Sequence, residues 1–282
     1  MDAIAGMAPH AELANSEGAA RGHTLRLRFI SAAVLLPLAF GAAWLGGVWW
    51  VILVAVFAGA MAWEWSRIVT SNRSSAAAAI IAAAGAVELT HLGSATFALM
   101  VLALGAGLAT VMARGERLGW QALGVFYVGL PSLAIVWIRD EPDGLAVLAW
   151  MLALVIAVDT GAYVAGRSIG GPKLAPRISP KKTWAGLAGG IIAALLIGAI
   201  WSFLLDLPHA LPLILISGVL AVVEQAGDLA ESAFKRRFGV KDSSQLIPGH
   251  GGVLDRVDGL LAVSFVVGTA GWLLGGLSGW MR

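Results

Sequence analysis

The chain has 282 residues, 59% of them apolar and only 13% charged, with a mean hydropathy of +0.83. A soluble domain carries roughly 25% charged residues, so this composition excludes an ordinary soluble fold and points to a protein embedded in a membrane. No cysteine is present, which excludes disulfides and thiolate metal sites; the net charge of +2 says less than where the charges fall.

Residues 1–25 hold no sustained apolar run and read as a flexible N-terminal tail; residues 26–282 read as one membrane-embedded domain. Arg21, Arg26 and Arg28 precede an apolar stretch from Phe29 to about Gly47. That stretch is longer than the apolar core of a signal peptide, roughly 7–15 residues, and further spans follow, so it reads as an uncleaved first span. A membrane helix needs roughly 20 apolar residues. The spans expected on this basis are 29–47, 48–69, 76–92, 94–113, 119–138, 144–166, 183–205, 210–230 and 254–279. The fold class is all-α: a polytopic membrane helix bundle of about nine transmembrane helices.

Lys and Arg remain on the cytoplasmic side of a membrane protein. With nine spans and a cytoplasmic N-terminus, all of the 19 Lys and Arg except Arg139 and Arg282 fall on one side. The opposite links are neutral (Gly46, Gly47) or acidic (Asp140, Glu141, Asp143, Asp206). One span more or fewer breaks this alternation. Two cytoplasmic loops, about 167–182 and 232–253, are longer and more polar than the rest, so the chemistry is expected at the cytoplasmic face. Most glycines serve close helix packing.

Glu224, Asp228 and Glu231 are spaced i, i+4, i+7 and share one face at the end of the eighth span. Three unpaired acids in a membrane cost about 8–10 kcal/mol on insertion scales, so a metal ion or neighbouring Lys and Arg must compensate. Glu231 reads equally well as a solvated acid at a helix end. Asp255 and Asp258 share a face at the start of the ninth span, just after Gly249-His250-Gly251-Gly252. Acids suit a helix N-terminus, but a Gly-rich turn there also lets backbone N–H groups approach an anion. Carboxylates from spans eight and nine together suit Mg²⁺, which fills its remaining positions with water and substrate phosphate. His250 has no second His or Cys nearby, so zinc is set aside.

A third polar group follows span six: Asp159-Thr160-Gly161-Ala162-Tyr163, then Gly166-Arg167 through Lys173, then Ser179-Pro180-Lys181-Lys182-Thr183. It is not a Walker motif, because the Gly-Lys-Ser/Thr ending is missing. It is still a Gly-rich, cationic turn ahead of a helix, suited to a polyphosphate; against the plainer reading of a loop touching anionic lipid stand Asp159 within the membrane and the Pro180 ring and Thr183 hydroxyl at a helix entrance. Trp63-Glu64-Trp65 reads as an interfacial aromatic belt with a snorkelling acid, and Glu88 and His91 as solvated residues at an outer helix end.

The run Ser232-Ala-Phe234-Lys235-Arg236, then Lys241-Asp242, then Ile247 through Asp258 resembles the complete signature of the phosphatidate cytidylyltransferase (CDP-diacylglycerol synthase) family. Gly227-Asp228-Leu229-Ala230-Glu231 matches as well, as do Asp159 to Tyr163 and Ser179 to Trp184. The resemblance covers about residues 155–258. Many members carry Glu or Gln where this chain has Ala185. What the resemblance implies is a metal-dependent nucleotidyltransferase of phospholipid biosynthesis. It would join CTP and phosphatidic acid into CDP-diacylglycerol and pyrophosphate, in the inner membrane, as a homodimer that meets membrane lipids but no nucleic acid.

Under that resemblance Asp228, Asp255 and Asp258 are expected to hold Mg²⁺. Arg167, Lys173, Lys181 and Lys182 are expected to hold the triphosphate, with Ser179, Thr183, His250, Gly251 and Gly252 completing the nucleotide site. Lys235, Arg236 and Arg256 are expected to hold the lipid phosphate or departing pyrophosphate. Asp159 either orients a lysine or binds a second cation. The rival from another class is an ion-coupled transporter, which places its polar residues at midplane in related halves; here they gather at helix ends and no internal repeat is visible.

Overall fold

The computed structural model describes residues 30–31, 33–113 and 118–277. The expected tail 1–25 lies outside the described residues, as do Arg114, Arg117 and Arg282. Helix α1 is Ala33–Leu45. It is followed by α2 (Gly47–Val69), α3 (Arg73–His91), α4 (Ala95–Ala113), α5 (Leu118–Asp140) and α6 (Gly144–Ser168). A hairpin of β1 (Lys173–Ala175) and β2 (Ser179–Thr183) intervenes before α7 (Trp184–Leu204), α8 (Ala210–Arg237) and α9 (Leu254–Leu273). Eight of these helices, α2 to α9, are long and apolar enough to cross a membrane. The all-α bundle is therefore as the sequence predicts. The described part of α1 rises only about 20 Å at 1.5 Å per residue, short of the roughly 30 Å hydrocarbon core.

Consecutive helices pack against each other from α2 to α5 and from α6 to α9, and α9 also packs on α5, tying the two halves together. Chain ends therefore alternate between two faces of the bundle. At one face Arg139 Nε donates to the Ala43 carbonyl (2.6 Å) and its Nη2 to the Trp44 carbonyl (3.1 Å), satisfying the end of α1. His91 there is not free in solvent, since its Nδ1 lies 2.9 Å from Asp140 Oδ2. The other face gathers the ends of α2, α6 and α8, the start of α9 and the hairpin.

Two features depart from the sequence expectation. The 167–182 loop contains an antiparallel hairpin, with Lys173 opposite Thr183 and Ala175 opposite Ser179. Helix α8 runs to Arg237, seven residues beyond the expected end at 230. Its last two turns are charged, but they are packed: Phe234 stacks on Trp65 with ring centroids 3.6 Å apart, and Lys235 is gripped by Glu231 one turn back. Those contacts continue the helix past the end of its apolar run.

Candidate active site

The acids of α8 and α9 meet because the two helices approach closely. A Cβ on Gly227 of α8 would come 3.1 Å from the Asp258 carbonyl, and one on Gly259 of α9 would come 2.7 Å from Glu224 Oε1. Side chains larger than hydrogen would push the helices apart at this level. At the outer turn, Lys235 Nζ lies 2.6 Å from Glu231 Oε2 and 2.7 Å from Asp255 Oδ1. Glu231 is fully buried, which decides against a solvated acid. The Asp255 carboxylate also accepts from Ser243 N (3.0 Å) and Gly252 N (3.0 Å), so it pins both ends of the turn between α8 and α9. Asp258, one helical turn deeper, accepts from Gly259 N at 2.8 Å and faces the charge of Asp228.

A second carboxylate enters the turn from the first half of the chain. Glu64 of α2 is 0% exposed. It accepts from Val253 N and Leu254 N, both at 2.8 Å, and from the hydroxyls of Ser243 (3.2 Å) and Ser244 (2.5 Å). Trp65 beside it is buried, stacked on Phe234 and bonded through Nε1 to the Trp120 carbonyl at 2.8 Å. The expectation of an interfacial belt with a snorkelling acid is therefore corrected for Glu64 and Trp65. Both face the protein interior, because α2 turns this face toward the end of α8 and the start of α9. Trp63 alone keeps an outward contact, under the Arg67 guanidinium at 4.8 Å.

The hairpin delivers cations to the same region. Lys182 Nζ lies 2.6 Å from Asp228 Oδ2 and donates to Gln225 Oε1 at 3.0 Å. Asp228 Oδ1 accepts from Ser232 Oγ at 3.2 Å. Thr183 caps α7, its Oγ1 accepting from Gly186 N at 3.0 Å, which fixes the strand-to-helix junction beside Lys182. A cavity of about 290 Å³ opens there, lined by Asp159, Arg167, Lys181, Lys182, Thr183 and Gln225 among others. An apolar cavity of about 230 Å³ lies between α1, α2, α5, α6 and α9, lined by Val257, the neighbour of Asp258 in sequence. A site built this way has a cationic chamber and a group of acids, with an apolar space between the helices that α9 shares with α1, α2, α5 and α6.

Residues 26–273 match the model of the cytidylyltransferase family. The chain belongs to that family. Among its relatives are the phosphatidate cytidylyltransferases of Brucella suis biovar 1, 38% identical over 245 residues (85% of this chain and 90% of that protein), and of Pseudomonas aeruginosa, 37% identical over 266 residues (89% and 98%). The protein of the same name from Bacillus subtilis is 41% identical over 150 residues, about half of each chain (52% and 56%).

In this cytidylyltransferase, most residues singled out in the sequence lie around the α6, α8 and α9 ends, in distinct local roles. Arg167 donates to the Tyr163 hydroxyl at 3.1 Å. Lys173 and Lys181 are exposed on the hairpin, and Ser179 sits half-buried opposite Ala175. Arg236 reaches the Ile178 carbonyl of the hairpin at 3.5 Å, and Arg256 the His250 carbonyl at 3.0 Å. His250 Nδ1 lies 2.8 Å from Ser31 Oγ, so the segment ahead of α1 touches the turn. Gly251, at φ +96°, adopts a backbone conformation that suits glycine, and its carbonyl accepts from Ile247 N at 2.9 Å. Gly252 has no room for a side chain: a Cβ would lie 2.8 Å from Glu64 Oε1 and 3.0 Å from Asp255 Oδ2. Lys235, expected to hold phosphate, spends its charge on two carboxylates and is only 11% exposed.

The residues that sequence reasoning missed are Glu64, Gln225, Ser243 and Ser244. Glu64 alone carried a readable signal, an acid inside an otherwise apolar span.

The acid group fits a hard cation. Asp159, Glu224 and Asp258 each lie within electrostatic reach of Asp228, and Lys182 pairs directly with Asp228. Carboxylate oxygens suit Mg²⁺. Among the described residues no set of three or more His, Asp or Glu is arranged to hold a metal ion by itself. Water and substrate phosphate would have to complete the shell, as is usual for this ion.

Proposed function

We propose that this chain transfers the cytidylyl group of CTP to phosphatidic acid, forming CDP-diacylglycerol and releasing pyrophosphate, at the cytoplasmic face of the inner membrane. The observation that carries the reading is the Lys182–Asp228 contact at 2.6 Å. It joins a cationic chamber on α6 and the hairpin to the acids of α8 and α9. The alternation of Lys and Arg along the chain supports a cytoplasmic N-terminus and site. A homodimer is the assembly implied by the family resemblance, and molar mass in detergent tests it.

A phosphate oxygen of the lipid attacks the α-phosphorus of CTP, and the bond from that phosphorus to the bridging oxygen of the β-phosphate breaks. A phosphate monoester has a second pKa of about 6, so the nucleophile is already an anion and needs no general base. The obstacle is repulsion between two anions, and catalysis is a matter of positioning and neutralising charge. Arg167, Lys173, Lys181 and Lys182 hold the triphosphate. Ser179 and Thr183 shape the hairpin that presents them, and the His250-Gly251-Gly252 turn, whose N–H groups go to the Ile247 carbonyl and to Asp255, walls the nucleotide site. Arg236 and Arg256, exposed at the rim, meet the lipid phosphate or the leaving pyrophosphate, while Lys235 keeps Glu231 and Asp255 in place. Mg²⁺ would be held by Asp228 with Asp258 and would supply charge neutralisation at the reacting phosphates; Asp255, expected to join them, has its oxygens taken by Lys235, Ser243 N and Gly252 N and fixes the turn beside them. Asp159 orients Lys182 or holds a second cation. A segment of one lipid chain lodges in the apolar cavity lined by Val257.

The test is purified protein in detergent with CTP labelled on its α-phosphate and phosphatidate, with and without Mg²⁺. Label is expected in the lipid only when phosphatidate and Mg²⁺ are both present. Transfer to a polyprenyl phosphate and not to phosphatidate would replace the proposed acceptor, and undiminished transfer in EDTA would remove the metal.

A further inference from the structure

We infer that Glu64 of α2 is a positioning residue for nucleotidyl transfer, holding the 243–254 turn so that Asp255 and Lys235 stay in register. An ionised carboxylate offers about four acceptor positions. Glu64 has all of them filled: Oε1 by Val253 N and Ser244 Oγ, Oε2 by Leu254 N and Ser243 Oγ. The donors are two backbone N–H groups and two hydroxyls, not an ammonium. Val253, at the head of α9, has no side-chain cap of its own, and this distant carboxylate takes up the Val253 and Leu254 N–H groups at the positive end of the α9 dipole.

The same few residues are gripped from the other side by Asp255. Ser243 gives its hydroxyl to Glu64 and its N–H to Asp255. Gly252 gives its N–H to Asp255 and lies against Glu64 so tightly that a Cβ would touch both carboxylates. Glu64 and Asp255 are thus interlocked through residues 243 and 252–254. A displaced Glu64 moves the turn, and the turn moves Asp255 and with it Lys235. Glu64 is 0% exposed, so it acts through the turn and not by touching substrate. Burying an ionised carboxylate is costly unless it is fully hydrogen-bonded, and here every bond serves this turn.

The inference rests on residues 243–258 being the active site. The experiment measures kcat, both KM values and hydrogen exchange of the 243–256 segment for Glu64→Gln, Glu64→Asp and Ser244→Ala, in monodisperse protein. Glu64→Gln places an amide N–H₂ against two of the donors. Its kcat is expected to fall about 10- to 100-fold, in line with the cost of misplacing a catalytic group by about 1 Å. Both KM values should stay within about threefold, and exchange should quicken in 243–256 but not in α3 and α4. Glu64→Asp, which keeps the charge, should retain more activity than Glu64→Gln.

A Glu64→Gln enzyme with kcat within about twofold of wild type overturns the inference. So does a loss confined to the yield of folded protein, or one confined to the KM for CTP. Should Glu64→Gln fail to fold, Ser244→Ala decides: lower kcat with faster local exchange upholds the inference, and no change in either overturns it. Full activity of Asp255→Asn would instead sink the reading of the site itself.

Discussion

Asp255→Asn is the sharpest perturbation of this site, because one carboxylate holds three groups at once. In the native arrangement its oxygens receive the Lys235 ammonium at 2.7 Å and the N–H groups of Ser243 and Gly252, each at 3.0 Å. The side chain is 6% exposed, so water does not substitute for lost partners. Asparagine keeps one acceptor oxygen and turns an N–H₂ toward a donor. The charge-assisted bond to Lys235 is worth about 1.5–3 kcal/mol. An opposed donor adds about 1–3 kcal/mol, the cost of an unsatisfied buried polar group. Lys235 keeps Glu231 at 2.6 Å, so the larger penalty of an isolated buried charge, about 3–5 kcal/mol, is not incurred in full. A net disturbance of about 2–4 kcal/mol at the turn corresponds to a rate loss of roughly 30- to 1,000-fold at 1.4 kcal/mol per decade. The assay is incorporation of labelled CTP into phosphatidate in detergent, alongside hydrogen exchange of residues 243–256. Turnover within about threefold of wild type, with the turn still protected, would refute the pinning role of Asp255.

Lys182→Ala should raise the KM for CTP about tenfold and leave that for phosphatidate nearly unchanged, because Lys182 lines the cationic chamber while pairing with Asp228; a shift confined to the lipid would reverse the assignment of the two loops. Trp65→Ala should destabilise the protein by about 3–5 kcal/mol, read as a lower thermal midpoint in detergent, since it removes the stack on Phe234 and the bond to the Trp120 carbonyl. An unchanged midpoint would mean that the α2–α8 packing does not depend on this ring.

Several site features are legible in the sequence alone, for physical reasons. Glu224, Asp228 and Glu231 share a face because helical spacing alone puts them there. Asp255 and Asp258 follow suit at the start of α9. Thr183 sits where a Ser/Thr cap belongs, one residue before Trp184, and its hydroxyl does cap α7. The hairpin between Lys173 and Thr183 was not legible, since a few exposed, Gly- and Pro-flanked residues carry little strand signal. Nor was the continuation of α8 to Arg237, because its charged last turns look like an end until Trp65 is seen lying on Phe234.

Residence in a membrane, the number of helices and the gathering of polar segments at their ends were determined by the sequence itself. Hydropathy acts locally, and each apolar run must bury or face lipid wherever its neighbours lie. Which charges compensate which was decided only by the tertiary structure. Glu64 and Val253 lie 189 residues apart, and Lys182 and Gln225 lie 43 apart. Such pairs depend on how each helix is rotated about its axis and how closely glycines let it approach the next, and those are properties of the packed bundle.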